Sequence, residues 1–224
     1  MIEVISIQEA VDKVKDGMSI MVGGFIGSGT PGQILSELAE ANLKELTLIA
    51  NDTGILGDPL SQMVVNHRLR KVIASHIGTN KETGRQMNTG DIEVSLVPQG
   101  TLAERIRAAG AGLGGVLTPT GIGTVVEEGK QKVCVDGREF LLEVPLSADV
   151  AILKAHKADR AGNLVYRRAA RNFNPLMATA AEVVIVEVEK IVETGELDPD
   201  EVMTPGIFVD YLVLSQSAEV ENVG

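Results

Sequence analysis

The run Asp16–Gly32, DGMSIMVGGFIGSGTPG, constrains the fold more than any other stretch of this chain. Ile20-Met21-Val22 reads as a buried strand. Gly23, Gly24, Gly27 and Gly29 then interrupt regular structure, and Thr30-Pro31 opens a helix, with Pro31 suited to its first position. Glycine lets the backbone turn sharply and lets a ligand approach its N–H groups. A helix N-terminus behind such a loop adds unpaired donors and a positive dipole. The stretch reads either as a backbone cradle for an anionic or carbonyl-bearing ligand or as a tight connection only. Two sharper motifs can be weighed. Gly24–Thr30 has P-loop glycine spacing but lacks the lysine before Thr30, which argues against nucleoside triphosphate chemistry. Gly27, Gly29 and Gly32 fit G-x-G-x-x-G with Asp52 downstream, as in a dinucleotide-binding unit, although the first glycine lies beyond the strand's end.

The same design then repeats. Ser6 and Glu9 form a capping box for a helix over residues 7–15. Strands are expected at Leu46–Ala50, Lys71–Ser75 and Glu93–Val97, with helices near Leu60–Val65 and Leu102–Ala109, the latter behind a Thr101/Glu104 capping box. Asn80–Gly90 reads as a solvated helix or a mobile flap. Alternating strands and helices point to βαβ units in a parallel sheet. Further on, Val133–Leu142 is a hairpin around Asp136-Gly137, and Val150–Leu153, Leu164–Tyr166, Val183–Val188 and Ile207–Leu214 are strands. Met177–Ala181 is expected to be helical, Gly195–Pro205 a loop, and Ser217–Gly224 a frayed tail. The glycine-rich stretch at residues 110–123, GAGLGGVLTPTGIG, reads as a long functional loop without regular structure.

In a sheet of this kind ligands bind outside the carboxyl ends of the strands. The loops carrying Gly23-Gly24, Asn51-Asp52, His76 and Gln99 should therefore gather along one edge. Asn51 and Gln99 offer neutral donors of the sort an oxyanion or thioester carbonyl needs. They would equally serve to cap the helices that follow them. Arg167, Arg168 and Arg171 could meet ligand phosphates or carboxylates, or pair with the chain's own acids.

Composition excludes several classes. A net charge of −11 argues against nucleic acid as a partner. No apolar run is long enough to span a bilayer, and MIEVISIQEA lacks the form of a signal peptide, so a cytoplasmic protein is expected. His67, His76 and His156 show no metal-ligand spacing, Ser28 is not in a G-x-S-x-G elbow, and the lone Cys134 reads as hairpin packing. No carboxylate except Asp52 sits at the end of an expected strand beside obvious activating groups. The chain offers a binding edge without a nucleophile, as if half a site were elsewhere.

DGMSIMVGGFIGSGTP, LIANDTG, KVIASHIGTN, LVPQGTLAERIRAAGAGLGG, LTPTGIGTVVEEGK and ARNFNP together resemble the α subunits of family I CoA-transferases, over nearly the whole chain. The resemblance implies one domain over residues 1–224 with an open, mostly parallel α/β sheet and flanking helices, of the isomerase and CoA-transferase type. It implies CoA transfer between a short-chain acyl-CoA (acetyl-, butyryl- or acetoacetyl-CoA) and a free carboxylate, by ping-pong steps through a glutamyl-CoA thioester. CoA would be a substrate, with no permanently bound cofactor and no metal. The glutamate belongs to a Ser-Glu-Asn-Gly motif of the β subunit, which is absent here. A β subunit is therefore the expected partner, in an α2β2 or higher assembly. By position, Gly23, Gly24, Phe25, Ile26, Gly27, Ser28, Gly29 and Thr30 match the CoA-binding loop, and Asn51 and Gln99 match residues near the thioester carbonyl. Alternatives are a succinyl-CoA:3-oxoacid transferase subunit, a dinucleotide-binding oxidoreductase domain, and a non-catalytic ligand sensor.

Overall fold

The computed structural model describes residues 2–216; the tail read at Ser217–Gly224 lies outside the described residues. In chain order the elements are β1 (Glu3–Val4), α1 (Ile7–Val11), β2 (Ser19–Val22), α2 (Gly32–Glu40), β3 (Leu46–Ala50), α3 (Pro59–Val65), β4 (Leu69–Ala74), α4 (Lys81–Thr89) and β5 (Glu93–Leu96). They continue with α5 (Gln99–Gly110), β6 (Val116–Thr118), β7 (Lys132–Val135), β8 (Arg138–Glu143), β9 (Ala148–Asp159), β10 (Leu164–Val165), α6 (Asn174–Met177), β11 (Ala181–Val192) and β12 (Tyr211–Leu214).

The main sheet has the order β1-β12-β11-β9-β2-β3-β4-β5, all parallel, with β10 antiparallel beside β9. The central strands β2 and β3 read as near-continuous apolar runs because both their faces are buried. Ile20 and Val22 of β2, Leu48 and Ala50 of β3, and Val150 and Ile152 of β9 pack under α1, α2 and α3. Met21, Ile49, Ala151 and Leu153, on alternate positions, pack under α5 and α6. Val, Ile, Leu and Ala dominate both layers, with Met21, Met63, Met177 and Phe173 among them. The carboxylate of Asp149 accepts from the Ser19 backbone N–H and hydroxyl, both at 2.7 Å, and ties β2 to β9. Those bonds, the backbone one foremost, hold the Asp149 carboxyl below the usual carboxylate range.

Two features position the site. Strands β2 to β5 run outward in sequence order on one side, whereas β9 returns to the other side of β2, so the strand order reverses between β2 and β9. Ligands bind at such reversals in open α/β sheets. In addition, β9 and β11 pair along their full lengths, from Ala148↔Ala181 to Asp159↔Val192, while β2 meets β9 only at Val150–Ile152. The outer halves of β9 and β11 therefore rise past the end of β2, with β10 paired to the last residues of β9.

Several expectations change. The first helix stops at Val11, because Lys13 and Val14 bond back three residues rather than four and tighten the chain. Asn80–Gly90 is helix, capped by the Asn80 side chain and ended by Gly90 at φ +79°. α5 begins at Gln99 behind Pro98, so the Thr101/Glu104 capping box does not form; Thr101 is buried inside the helix. Residues 110–123 are not a structureless loop: α5 runs to Gly110, and β6 joins β8 and β7 in an antiparallel sheet. The β7–β8 hairpin turns at Asp136-Gly137, both with positive φ, as its sequence demands. Cys134 on β7 is exposed rather than packed. Only Tyr211–Leu214 of the expected closing strand is extended in the sheet, because Gly206–Phe208 forms a 3-10 turn.

Candidate active site

The glycine loop leaves β2 at the strand-order reversal and folds into a small hairpin. Phe25 and Ser28 exchange both backbone hydrogen bonds at 3.0 Å around Ile26-Gly27, whose φ angles are +46° and +79°. Positive φ at both central residues is the I′ turn geometry. The loop's own amides are largely spent. The N–H of Gly23 goes to Ile152 O, that of Gly24 to Asn172 Oδ1, that of Ile26 to Asp52 Oδ2, and those of Phe25 and Ser28 to each other's carbonyls. Among the described residues, the N–H groups of Gly27 and Gly29 have no acceptor, and they are the donors a ligand could use.

The loop is clamped from a distant part of the chain. Asn172 donates to Ser28 O at 2.8 Å while accepting from Gly24 N. Asn174, fully buried, donates to Gly29 O at 2.9 Å and Ala170 O at 2.8 Å and accepts from Lys154 N. A methyl group on Gly23 would lie 1.8 Å from Asn174 Oδ1, and one on Gly29 would lie 2.5 Å from Ala170 O. Glycine is thus required at both positions for close approach. Spacing in sequence could not find these partners. The one hint is the pair of asparagines framing Phe173 before Pro175, polar residues in an otherwise packed turn.

The donors read at the start of the following helix are not available. The buried carboxylate of Glu187 on β11 accepts from Gln33 N at 2.9 Å and Ile34 N at 3.1 Å, and its other oxygen meets Lys154 Nζ at 2.9 Å. Glu187 caps α2 from the side, so the cradle is the loop alone.

Across the loop, Asn51, Asp52, Ser75 and Gln99 come together at the ends of β3 and β4 and the start of α5. The Asp52 carboxylate, 4% exposed, accepts from Ile26 N at 2.9 Å, Gly54 N at 2.8 Å and Asn51 Nδ2 at 3.2 Å. Because Asp52 only accepts, the Asn51 amide must turn its nitrogen toward it and its oxygen away. That oxygen receives Gln99 Nε2 at 2.6 Å, and the Ser75 hydroxyl is shared between it at 2.9 Å and the Asn51 backbone oxygen at 2.8 Å. The orientation of three side chains therefore follows from one carboxylate. The capping alternative for Asn51 and Gln99 falls: α3 is preceded by Asp58 and α5 by Pro98. His76 contributes its backbone N–H to Asn51 O at 3.2 Å. Asp52 is also unavailable to a ribose, which removes the support for the dinucleotide reading.

Beyond Gln99 lies an open hollow of about 390 Å³ lined by Phe25, Gln99, Ala103, Asn172, Phe173 and Leu176. Among the described residues, no cation lines it. Arg167, Arg168 and Arg171 form no ion pair with the chain's acids among the described residues. No group of three metal-ligating side chains occurs among those residues either.

A family model described as Coenzyme A transferase matches residues 4–215. The chain belongs to the coenzyme A transferase family. It is 55% identical to the acetate CoA-transferase subunit alpha of Escherichia coli K12, over 97% of this chain and 99% of that one. It is 49% identical to the acetoacetyl-CoA:acetate/butyrate CoA transferase alpha subunit of Clostridium acetobutylicum, over 89% of this chain and 91% of that one. The fold of an acyl-CoA transferase from E. coli O157:H7, solved as a thioester complex with CoA, superposes with a TM-score of 0.87 at 23% identity. It covers all of this chain, which spans 49% of that longer one. The open α/β architecture is thus the one this transferase family uses. Among the described residues no helix is long and apolar enough to cross a membrane.

Proposed function

We propose that this chain is the α subunit of a CoA-transferase that moves CoA between a short-chain acyl-CoA and a free carboxylate such as acetate or acetoacetate. The attacking glutamate is supplied by a β subunit, in an α2β2 or higher assembly. One observation carries the reading: the loop presents free donors, while the carboxylates beside it are already committed. Asp52 and Glu187 are both buried and both accept from backbone amides. Glu127, the other acid of interest, pairs with Lys132 at 2.6 Å beside the small sheet.

When a carboxylate attacks a thioester, the carbonyl π electrons move onto oxygen, and the oxyanion needs donors fixed in advance. We assign that task to the Gly27 and Gly29 amides, which have no acceptor among the described residues, and to the second N–H of Gln99. Asn51 acts one step back: buried and donating to Asp52, it holds Gln99 rather than the ligand. The hollow bounded by Phe25, Phe173 and Leu176 suits a short apolar acyl chain. Lacking a cation, it disfavours the second carboxylate of a succinyl group, so acetyl, butyryl and acetoacetyl are the preferred acyl groups.

The test is CoA exchange between acetoacetyl-CoA and acetate, with this chain alone and mixed with its β subunit. Exchange only in the mixture is expected. Exchange by this chain alone would overturn the assignment of the nucleophile and direct attention to Asp52, Glu127 and Glu128. In the assembled complex, Gln99→Ala should lower kcat by roughly two orders of magnitude.

A further inference from the structure

The helix that follows the glycine loop is capped from a distance. α2 opens at Gly32 behind Pro31, whose ring carries no acceptor, and its first turn holds no acid. The orphan N–H groups of a first turn are ordinarily met by a Ser, Thr, Asp or Asn just before the helix. Here those of Gln33 and Ile34 are met by Glu187, 154 and 153 positions further along the chain. Glu187 lies inside β11, is 1% exposed, and faces Lys154 directly across the β9–β11 ladder, with Lys154 Nζ at 2.9 Å.

A local cap would tie the helix only to its own loop. Glu187 ties it to the sheet, and its partner Lys154 belongs to the strand that also secures the loop. The backbone N–H of Lys154 donates to Asn174 Oδ1 at 3.0 Å, and Asn174 donates to Gly29 O at 2.9 Å. The chain is thus pinned twice, at Gly29 through Asn174 and at Gln33 through Glu187, with three residues between the pins. A carboxylate at a helix N-terminus also meets the positive end of the helix dipole. Removing either member of a buried ion pair leaves the other charge uncompensated, so Glu187 and Lys154 act as a unit.

We propose that Glu187 is a positioning residue for the transfer reaction. It holds the exit of the glycine loop so that the Gly29 amide stays aimed at the thioester oxygen, and Lys154 keeps its carboxylate turned toward α2. The proposal rests on the reading of the Gly29 amide as an oxyanion donor.

The test uses the assembled complex. E187A removes the acceptor, and kcat per folded complex for exchange between acetoacetyl-CoA and acetate should fall about tenfold with KM unchanged. In E187Q the amide oxygen still accepts from both N–H groups, but the amide donors face the Lys154 ammonium, so a loss of about threefold is expected. K154M/E187Q removes that conflict and should recover turnover. A residue serving stability alone would lower the amount of folded complex and leave kcat per folded complex intact in every variant; that result would overturn the assignment. Hydrogen exchange over residues 23–34 gives a readout that needs no activity. It should quicken in E187A and E187Q and slow again in K154M/E187Q, and unchanged exchange would defeat the proposal. Quickened exchange where the parent complex shows no transfer would instead defeat the reaction and leave the anchoring of the loop standing. If E187A does not assemble, E187Q and K154M/E187Q carry the same comparison.

Discussion

Two regions of this molecule are equally rich in glycine, and they use it for opposite ends. At residues 23–31 glycine makes room for other parts of the chain to grip the backbone, and the grip leaves two amides, those of Gly27 and Gly29, without acceptors among the described residues. At residues 110–123 glycine lets structural elements meet. A methyl group on Gly110 would fall 2.0 Å from Thr179 Oγ1, where α5 packs on the segment after α6, and one on Gly115 would fall 2.8 Å from Glu143 O, beside β8. Glycine density therefore does not identify a ligand loop. What separates the two regions is where the neighbouring polar groups come from and whether donors remain when they have been served.

That contrast can be broken, and the strongest attempt is Gly29→Ala. Its φ of +75° and the 2.5 Å approach to Ala170 O would force the loop off its clamp. We expect kcat in the assembled complex to fall by about a hundredfold or more, comparable to removing an oxyanion donor. Near-normal turnover would mean that the clamped geometry is irrelevant to the reaction. Next is Asp52→Asn, which replaces an obligate acceptor with an amide and releases Asn51 and Gln99 from their fixed orientation. Misplacement of this kind should lower kcat about tenfold with little change in KM; a pure KM effect would show that the network serves binding only. Gly110→Ala probes the other region. Overpacking against Thr179 should cost roughly 1–3 kcal/mol in urea unfolding while leaving the turnover of folded complex intact. Lost turnover there would erase the distinction drawn above. Smallest of all is Gly114→Ala, whose φ is not positive and whose added methyl meets open space. Its stability should stay within about 0.5 kcal/mol of the parent chain.

Much of the architecture was legible because it rests on local signals. Apolar runs between turn residues gave the parallel strands, the Ser6/Glu9 box gave α1, and Asp136-Gly137 gave the hairpin. Elements whose form depends on tertiary partners were misread. The short apolar cores of β9 and β11 gave no sign that each strand runs far past them, since their outer halves are polar: Lys154, His156, Glu187 and Glu189 line a wall instead of a core. The Thr101/Glu104 box failed because Pro98 starts the helix earlier and puts Gln99 in its first turn. Asn51, Gln99 and the loop could be placed together from the rule that strand ends share an edge. The roles of Asp52, Ser75, Asn172, Asn174 and Glu187 could not, because each is defined by a hydrogen bond to a residue that sequence order keeps apart.

The clamp on the glycine loop has a consequence for how the molecule is made. The bonds from Asn172 and Asn174 to Gly24, Ser28 and Gly29 span 144 to 148 positions of the chain. Contacts at such separation form late, because the intervening chain must first be brought to order. During synthesis β2, β3, β4 and β5 can pair as each emerges, since they are neighbours both in sequence and in the sheet. The cradle has to wait until the last quarter of the chain leaves the ribosome. A nascent or truncated chain ending before residue 172 therefore carries the glycine motif in full and still lacks the clamped loop.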